Sequence, residues 1–254
     1  MIKLYQFARA FGLPNASPFC MKVECALRMA GLEYQVVDVL IPAKGPKGKL
    51  PYIEDGDTRL ADSEIILDYL RERHGFDPDR GLSEEQKAIS RAFQAMFDER
   101  FYWVNIQNRW IDPINWPATR ETFFNWVPSL VRRPLAEWVR RGMGKELYYH
   151  GLGRHSAEEI YAFGIADLQA LAAWLGDKPY FHGETPARID ACLTAYLNNL
   201  LRVPVKHFPV RDEALRHPNL VAYAERTMNA WFPEFARAGT GAPGIASPNG
   251  AVGG

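Results

Sequence analysis

The spacing of apolar residues changes character part-way along this chain. Over the first third, short strand-like runs alternate with helical ones. Ile2 to Phe7 reads as a strand, and Phe11 to Ala16, with Gly12, Pro14 and Asn15, as a loop. Phe19, Val23, Ala26, Leu27 and Ala30 then recur at helical spacing, so an amphipathic helix is predicted from about Pro18 to Ala30. Ser17 can cap it, Pro18 suits its first position, and Gly31 can end it. Tyr34 to Val39 reads as a second strand. Ile41 to Lys49, rich in proline, glycine and lysine, reads as irregular. Tyr52 to Glu54 and Thr58 to Leu60 flank Asp55-Gly56-Asp57, a strong hairpin signal. Ser63 can cap the next helix, whose predicted apolar face is Ile65, Ile66, Tyr69 and Leu70.

Asp77 to Ser83, with Pro78 and Gly81, reads as a linker, and beyond it the pattern is helical almost throughout. Helices are predicted within Gln86 to Trp110, where Phe93, Phe97 and Phe101 recur every four residues, and over Thr119 to Arg141, Ala157 to Leu175, Ile189 to Leu201 and Leu220 to Phe232. The expected architecture is an α/β N-terminal domain of the thioredoxin kind (residues 1–78) followed by an all-α domain (84–237). Residues 238–254, mostly Gly, Ala and Pro, are expected to be a disordered tail.

The 30 basic and 30 acidic residues cancel, which argues against a nucleic-acid binder. Such neutrality leaves solubility marginal and favours burying surface in a dimer. Three widely spaced cysteines make no disulfide framework and suit a reducing compartment. The N-terminus lacks the basic head and long apolar stretch of a signal peptide, and no apolar run is long enough to span a bilayer. A cytoplasmic protein is therefore expected.

The candidate chemistry lies in three short stretches, Ser17-Pro18-Phe19-Cys20, Lys49-Leu50-Pro51 and Ala61-Asp62-Ser63, which together outline a site for a thiol peptide. Ser17 either only caps its helix or donates a hydrogen bond to a bound thiolate. A free thiol titrates near pH 8.5, and lowering that by two units needs roughly 2.7 kcal/mol. One hydroxyl donor to an anion, about 1.5–3 kcal/mol, together with a helix N-terminus, up to about 2 kcal/mol, supplies it. Cys20 is either a small filler facing the sheet or a reactive thiol; a redox pair would need a second cysteine where Ser17 stands. Cys25 and Cys192 lie in apolar helical runs as packing residues. A cis bond before Pro51 would turn the Leu50 backbone outward to pair with an extended peptide. Asp62 can hold an ammonium, Ser63 the neighbouring carboxylate, and Lys44, Lys47 and Lys49 a second carboxylate. Tyr102, Trp103 and Trp110, among many aromatics of the early helical region, are candidates for an apolar pocket.

Other motifs fall away. Gly151-Leu152-Gly153 lacks the third glycine and the preceding strand of a dinucleotide loop, and Gly45-Pro46-Lys47-Gly48-Lys49 lacks the spacing and hydroxyl of a phosphate loop. The six histidines have no metal-ligand spacing, so no metal is expected.

From Met1 to about Trp231 the chain resembles the glutathione S-transferase superfamily, and most of all its metaxin and failed-axon-connections subgroup. The resemblance is carried by Ser17-Pro18-Phe19-Cys20-Met21-Lys22-Val23-Glu24, Lys47-Gly48-Lys49-Leu50-Pro51, Gly151-Leu152-Gly153-Arg154-His155 and Gly183 to Asp190. It implies the glutathione S-transferase fold, Ser17 on the sulfur of glutathione as co-substrate, Lys49, Leu50 and a cis Pro51 along the peptide, and Asp62-Ser63 in place of the usual Glu/Gln-Ser pair. It further implies a homodimeric detoxification enzyme that conjugates glutathione to a small hydrophobic electrophile such as an epoxide or halide. A glutathione-dependent reductase using Cys20 and a non-catalytic metaxin-like adaptor are the alternatives. One departure concerns the helical domain: the family's Ser or Thr three residues before a buried Asp is Ala187 here, so the cap before Asp190 is expected to be shifted or lost.

Overall fold

The structure is a computed structural model that describes residues 1–236. The expected tail, with residue 237, lies outside the described residues. Four strands, β1 (Ile2–Gln6), β2 (Tyr34–Asp38), β3 (Tyr52–Asp55) and β4 (Thr58–Ala61), form one mixed sheet in the order β2-β1-β3-β4. β1 runs parallel to β2, with Ile2 opposite Tyr34, and antiparallel to β3, with Leu4 opposite Ile53. Tyr52 pairs with Ala61 across the β3–β4 hairpin, whose Gly56 adopts φ +57°. Helices α1 (Pro18–Met29) and α2 (Ser63–His74) complete this layer.

The remaining elements are helical. α3 (Glu84–Ala95) starts at a capping box made by Ser83 and Gln86. It runs on through a π-helical segment (Met96–Phe101), α4 (Tyr102–Ile106) and a second π-helical segment (Gln107–Ile111). There follow α5 (Trp116–Phe124), α6 (Ser129–His150), α7 (Ala157–Leu175), α8 (Arg188–Arg202), α9 (Pro209–Leu215), α10 (Pro218–Trp231) and α11 (Pro233–Ala236). No helix among the described residues is long and apolar enough to cross a membrane.

Four sequence expectations change. α1 is not amphipathic: Lys22 and Glu24 are as buried as Val23 and Leu27, because the helix lies between the sheet layer and α8. Its charges survive burial by pairing. Lys22 Nζ donates to Asp98 Oδ2 at 2.7 Å and to Glu64 Oε1 at 3.0 Å, and Glu24 accepts from Gln6, Arg9, Arg28 and Tyr34. The cap of α2 is Asp62, whose Oδ1 accepts from Glu64 N at 2.9 Å, while Ser63 is the first helical residue. On α2, Leu67 replaces the exposed Ile65 in the buried set, since Ile66, Leu67 and Leu70 form the inward stripe. The helix expected over Thr119 to Arg141 is broken at 125–128, where Pro128 lacks the N–H a continuing helix needs, and α6 runs on to His150.

The cap before Asp190 is half kept. Ala187 has no oxygen to offer, yet Asp190 Oδ2 accepts from Ala187 N at 2.7 Å. Its Oδ1 accepts from Phe181 N at 2.9 Å and from the Tyr223 hydroxyl at 2.5 Å. The buried carboxylate thus pins the start of α8 to the preceding turn and to α10.

Candidate functional site

Three loops meet at the N-terminus of α1. Cys20, in the first turn of that helix, packs in one small buried cluster with Leu50, Tyr52 and Ala61. Because Tyr52 pairs with Ala61, the residues just outside the hairpin, Pro51 and Asp62, are also neighbours. Helix start, proline loop and β4–α2 turn therefore converge, as their order in sequence suggested.

Ser17 is half-buried, in extended conformation (φ −92°, ψ 120°), and caps α1. Its Oγ accepts from Cys20 N at 3.5 Å, a long and weak bond, and the Ser17 side chain also hydrogen-bonds toward the Cys20 thiol, which it pulls down against the larger upward push of burial. The backbone before it is held from several sides. Ser17 N donates to Asn15 Oδ1 at 2.9 Å, and Asn15 Nδ2 donates to the Phe7 carbonyl at 2.7 Å. From the helical domain, Arg109 donates to the Ala16 carbonyl at 2.8 Å, and Asn199 Nδ2 to the Asn15 carbonyl at 3.1 Å. Asn15, Arg109 and Asn199 were not among the sequence candidates. Their signal is faint: Asn15 is a polar residue two before the serine, and Arg109 ends the polar run Asn105, Gln107 and Asn108 within an aromatic-rich helix.

The Leu50–Pro51 bond is cis, and among the described residues neither backbone group of Leu50 has a partner. Asp62 sits at φ +89°, ψ 124°, a conformation rare for a residue with a side chain and often kept at functional positions. Among the described residues neither its Oδ2 nor the Ser63 hydroxyl has a partner, although Ser63 is buried. Lys47 and Lys49 are exposed. Cys20 is sealed from solvent, and burial pushes its thiol up to about 12.

Of the aromatic candidates, Tyr102 comes to the helix start: its ring lies 5.0 Å from that of Phe19. Burial pushes its phenol up to about 12, so it stays protonated. Trp103 lies edge-on to Tyr102 at 5.1 Å and packs on His150 at 4.9 Å, while Trp110 packs on Trp116 and Phe123 at 5.8 and 5.6 Å. That second aromatic cluster reaches the β1–α1 loop through Phe123, edge-on to Phe11 at 6.0 Å. An open groove of about 680 Å³ between α2 and α3 is lined by Glu64, Asp68, Arg71, Lys87, Arg91 and Arg188 among others. It is charged on both walls and excludes Ser17, Leu50 and Ser63.

Residues 18–115 match the glutathione S-transferase N-terminal domain, and residues 164–227 the glutathione S-transferase C-terminal domain. An isoprene-epoxide–glutathione S-transferase from Rhodococcus sp. is 34% identical over 239 residues, covering 89% of this chain and 97% of that protein. The chain belongs to the glutathione S-transferase superfamily. Within that superfamily its relatives include Failed axon connections of Drosophila melanogaster, 34% identical over 250 residues. The match covers 92% of this chain but 59% of the longer Drosophila protein. Metaxin-1 of Mus musculus is 26% identical over 246 residues, covering 91% and 75% respectively. The fold is shared with solved structures. One is glutathione S-transferase III in apo form, with a TM-score of 0.59 at 18% identity, covering 96% of this chain and 99% of that one. Another is a beta-etherase from Sphingobium, with a TM-score of 0.64 at 18% identity, covering 93% and 99%.

Proposed function

We propose that the protein is a glutathione transferase acting on a small hydrophobic electrophile, an epoxide or an alkyl halide. The observation that carries this reading is the half-buried Ser17 hydroxyl at the N-terminus of α1, beside the Leu50 backbone edge and the Ser63 hydroxyl, neither of which has a partner among the described residues. Leu50 pairs with the cysteinyl backbone of glutathione as a strand edge would. Ser63 and the first-turn N–H groups of α2 take the γ-glutamyl carboxylate, Asp62 Oδ2 its ammonium, and Lys49 the glycyl carboxylate. The thiol proton leaves to solvent, and the Ser17 hydroxyl donates to the thiolate that remains. Sulfur then attacks the epoxide carbon: a C–S bond forms, the ring C–O bond breaks, and the oxygen keeps the electron pair and takes a proton. With a halide, the halide ion leaves with the pair. The Rhodococcus relative, named for an epoxide, supports this substrate class. Phe11, Phe19, Tyr102 and Phe123 offer the apolar wall. A homodimer in the cytoplasm, serving detoxification, is part of the same proposal.

The adaptor reading is favoured by the resemblance to Failed axon connections and the metaxins. The reductase reading is disfavoured by the sealed Cys20. The test is formation of a glutathione conjugate from a small alkyl epoxide, followed by mass spectrometry, for wild type and Ser17→Ala. One lost donor to an anion, about 1.5–3 kcal/mol, corresponds to roughly a 10- to 150-fold loss of turnover. Conjugation no faster than without protein, for epoxides and halides alike, together with no heat of glutathione binding, would leave the adaptor reading standing.

A further inference from the structure

Two cationic side chains are buried among the described residues, Lys22 and Arg109, and they are treated differently. Lys22 faces two carboxylates. Arg109 faces none: among the described residues no carboxylate lies within 4.0 Å of it. The half-buried Arg28 and Arg188 each have an acidic partner as well. Arg109 is 6% exposed, and its acceptors are all neutral: the Ala16 carbonyl at 2.8 Å, and the carbonyl and Oδ1 of Asn199 at 3.0 and 3.1 Å.

A buried cation without a counter-ion is costly to keep. The last turn of α8 offsets part of that, because its carbonyl end carries about half a negative charge. The remainder is unbalanced, and it sits one peptide group from the residue whose hydroxyl faces the site. The second π-helical segment places Arg109 there, and such segments recur at functional positions.

We propose that Arg109 is a positioning residue for thiol activation: through the Ala16 carbonyl it holds Ser17, and its uncompensated charge makes the pocket favour an anionic sulfur. The proposal rests on the glutathione reading of the Ser17 site. The titratable groups that face this region do not cancel the charge at neutral pH. On the same helical stretch Tyr102 is protonated, and on α1 so is Cys20. Glu146 of α6 acts on the Tyr102 phenol rather than on Arg109, and α8 presents the amide Asn199. Burial brings Arg109 itself down only to about 10, so it remains a cation wherever the enzyme would work.

A unit charge about 12 Å away, at an effective dielectric of about 20, moves a pKa by about one unit. The test is the pH titration of bound glutathione's thiolate absorbance in wild type, Arg109→Gln, Arg109→Lys and Asn199→Asp. Calorimetric binding of S-methylglutathione, which cannot ionise, is measured alongside. Arg109→Gln keeps a donor for Ala16 and loses the charge. It should raise the thiol pKa by about one unit, a tenfold loss of thiolate at fixed pH, and change S-methylglutathione affinity by less than about threefold. Arg109→Lys should stay close to wild type. Asn199→Asp, which sets a carboxylate against the intact arginine, should shift the titration as Arg109→Gln does. Unchanged titrations in both Arg109→Gln and Asn199→Asp, with S-methylglutathione still bound, would overturn the electrostatic role. Equal loss of S-methylglutathione binding in Arg109→Gln and Arg109→Lys would reduce Arg109 to a brace. If wild type binds S-methylglutathione but never ionises glutathione, the glutathione reading itself fails and this proposal falls with it.

Discussion

Replacing Lys22 by Met removes a buried cation while nearly preserving volume, and the structure sets what should follow. Lys22 joins three elements: its own helix α1, Glu64 on α2 at 3.0 Å, and Asp98 on the first π-helical segment at 2.7 Å. Glu64 keeps Arg188 at 2.8 Å when Lys22 is gone. Asp98 keeps only neutral donors among the described residues, the Tyr196 hydroxyl at 3.1 Å, Gln94 Nε2 at 3.4 Å and the Cys192 thiol at 3.8 Å. The penalty is therefore mainly that of one orphaned, 10%-exposed carboxylate. Breaking a buried pair in this way costs about 3–5 kcal/mol, and the donors left to Asp98 place the expectation near about 3 kcal/mol. For a chain of this size that corresponds to a fall of roughly 6–12 °C in Tm.

Urea denaturation of wild type, Lys22→Met, Asp98→Asn and the double variant gives the coupling directly. Asp98→Asn should restore part of the stability lost in Lys22→Met, because it removes the orphaned charge. The pH dependence has a fixed sign. Burial pushes the Glu64 carboxyl up, but Lys22 and Arg188 outweigh it and hold the group at about 2. Its stabilisation is thus present above the ordinary glutamate pKa near 4.5 and is lost as pH falls toward 2. Lys22, raised above the ordinary lysine range by Asp98 and Glu64 against the effect of burial, contributes fully below that range and loses its contribution only in strong alkali. The difference between wild type and Lys22→Met should accordingly be largest near neutrality and shrink below about pH 4.5. A Lys22→Met variant within about 1 kcal/mol of wild type at pH 7, or strict additivity with Asp98→Asn, would refute this reasoning.

Two further outcomes are expected. Cys20→Ala should leave conjugation within about twofold and give no adduct with oxidised glutathione to compare against, since a thiol near 12 leaves about one part in 10⁵ as thiolate at pH 7; a mixed disulfide on wild-type Cys20 by mass spectrometry would contradict it. Asp190→Ala removes the acceptor for Phe181 N, Ala187 N and the Tyr223 hydroxyl. It should lower unfolding stability by at least about 3 kcal/mol in a denaturant titration, and a loss under about 1 kcal/mol would show that the cap is dispensable.

Local rules made much of this legible. The succession of strands and helices in the N-terminal layer, the hairpin at Asp55-Gly56 and helix α7 to the residue follow from spacing, turn residues and caps, while the meeting of Ser17, Pro51 and Asp62-Ser63 was implied by the family resemblance. What stayed hidden depends on contacts distant in sequence. Lys22 and Glu24 look solvent-facing until α8 covers their helix, and no helical period reveals that. The break at 125–128 was overridden by a continuing apolar pattern on both sides. Trp110 reads like any other aromatic of its helix, yet it joins Trp116 and Phe123 rather than Tyr102. Arg109 and Asn199 reach the loop before Ser17 from 93 and 184 residues away, and only the fold brings them there.

Under the proposed function, Ser17 holds a glutathione thiolate. The most direct measurement is the ultraviolet thiolate absorbance of glutathione at neutral pH, added to wild type and to Ser17→Ala. Wild type should give a protein-dependent thiolate signal. In Ser17→Ala that signal should weaken in step with a thiol pKa raised by about one to two units, the equivalent of one lost donor to an anion. Equal signals in the two proteins, or none in wild type, would contradict it.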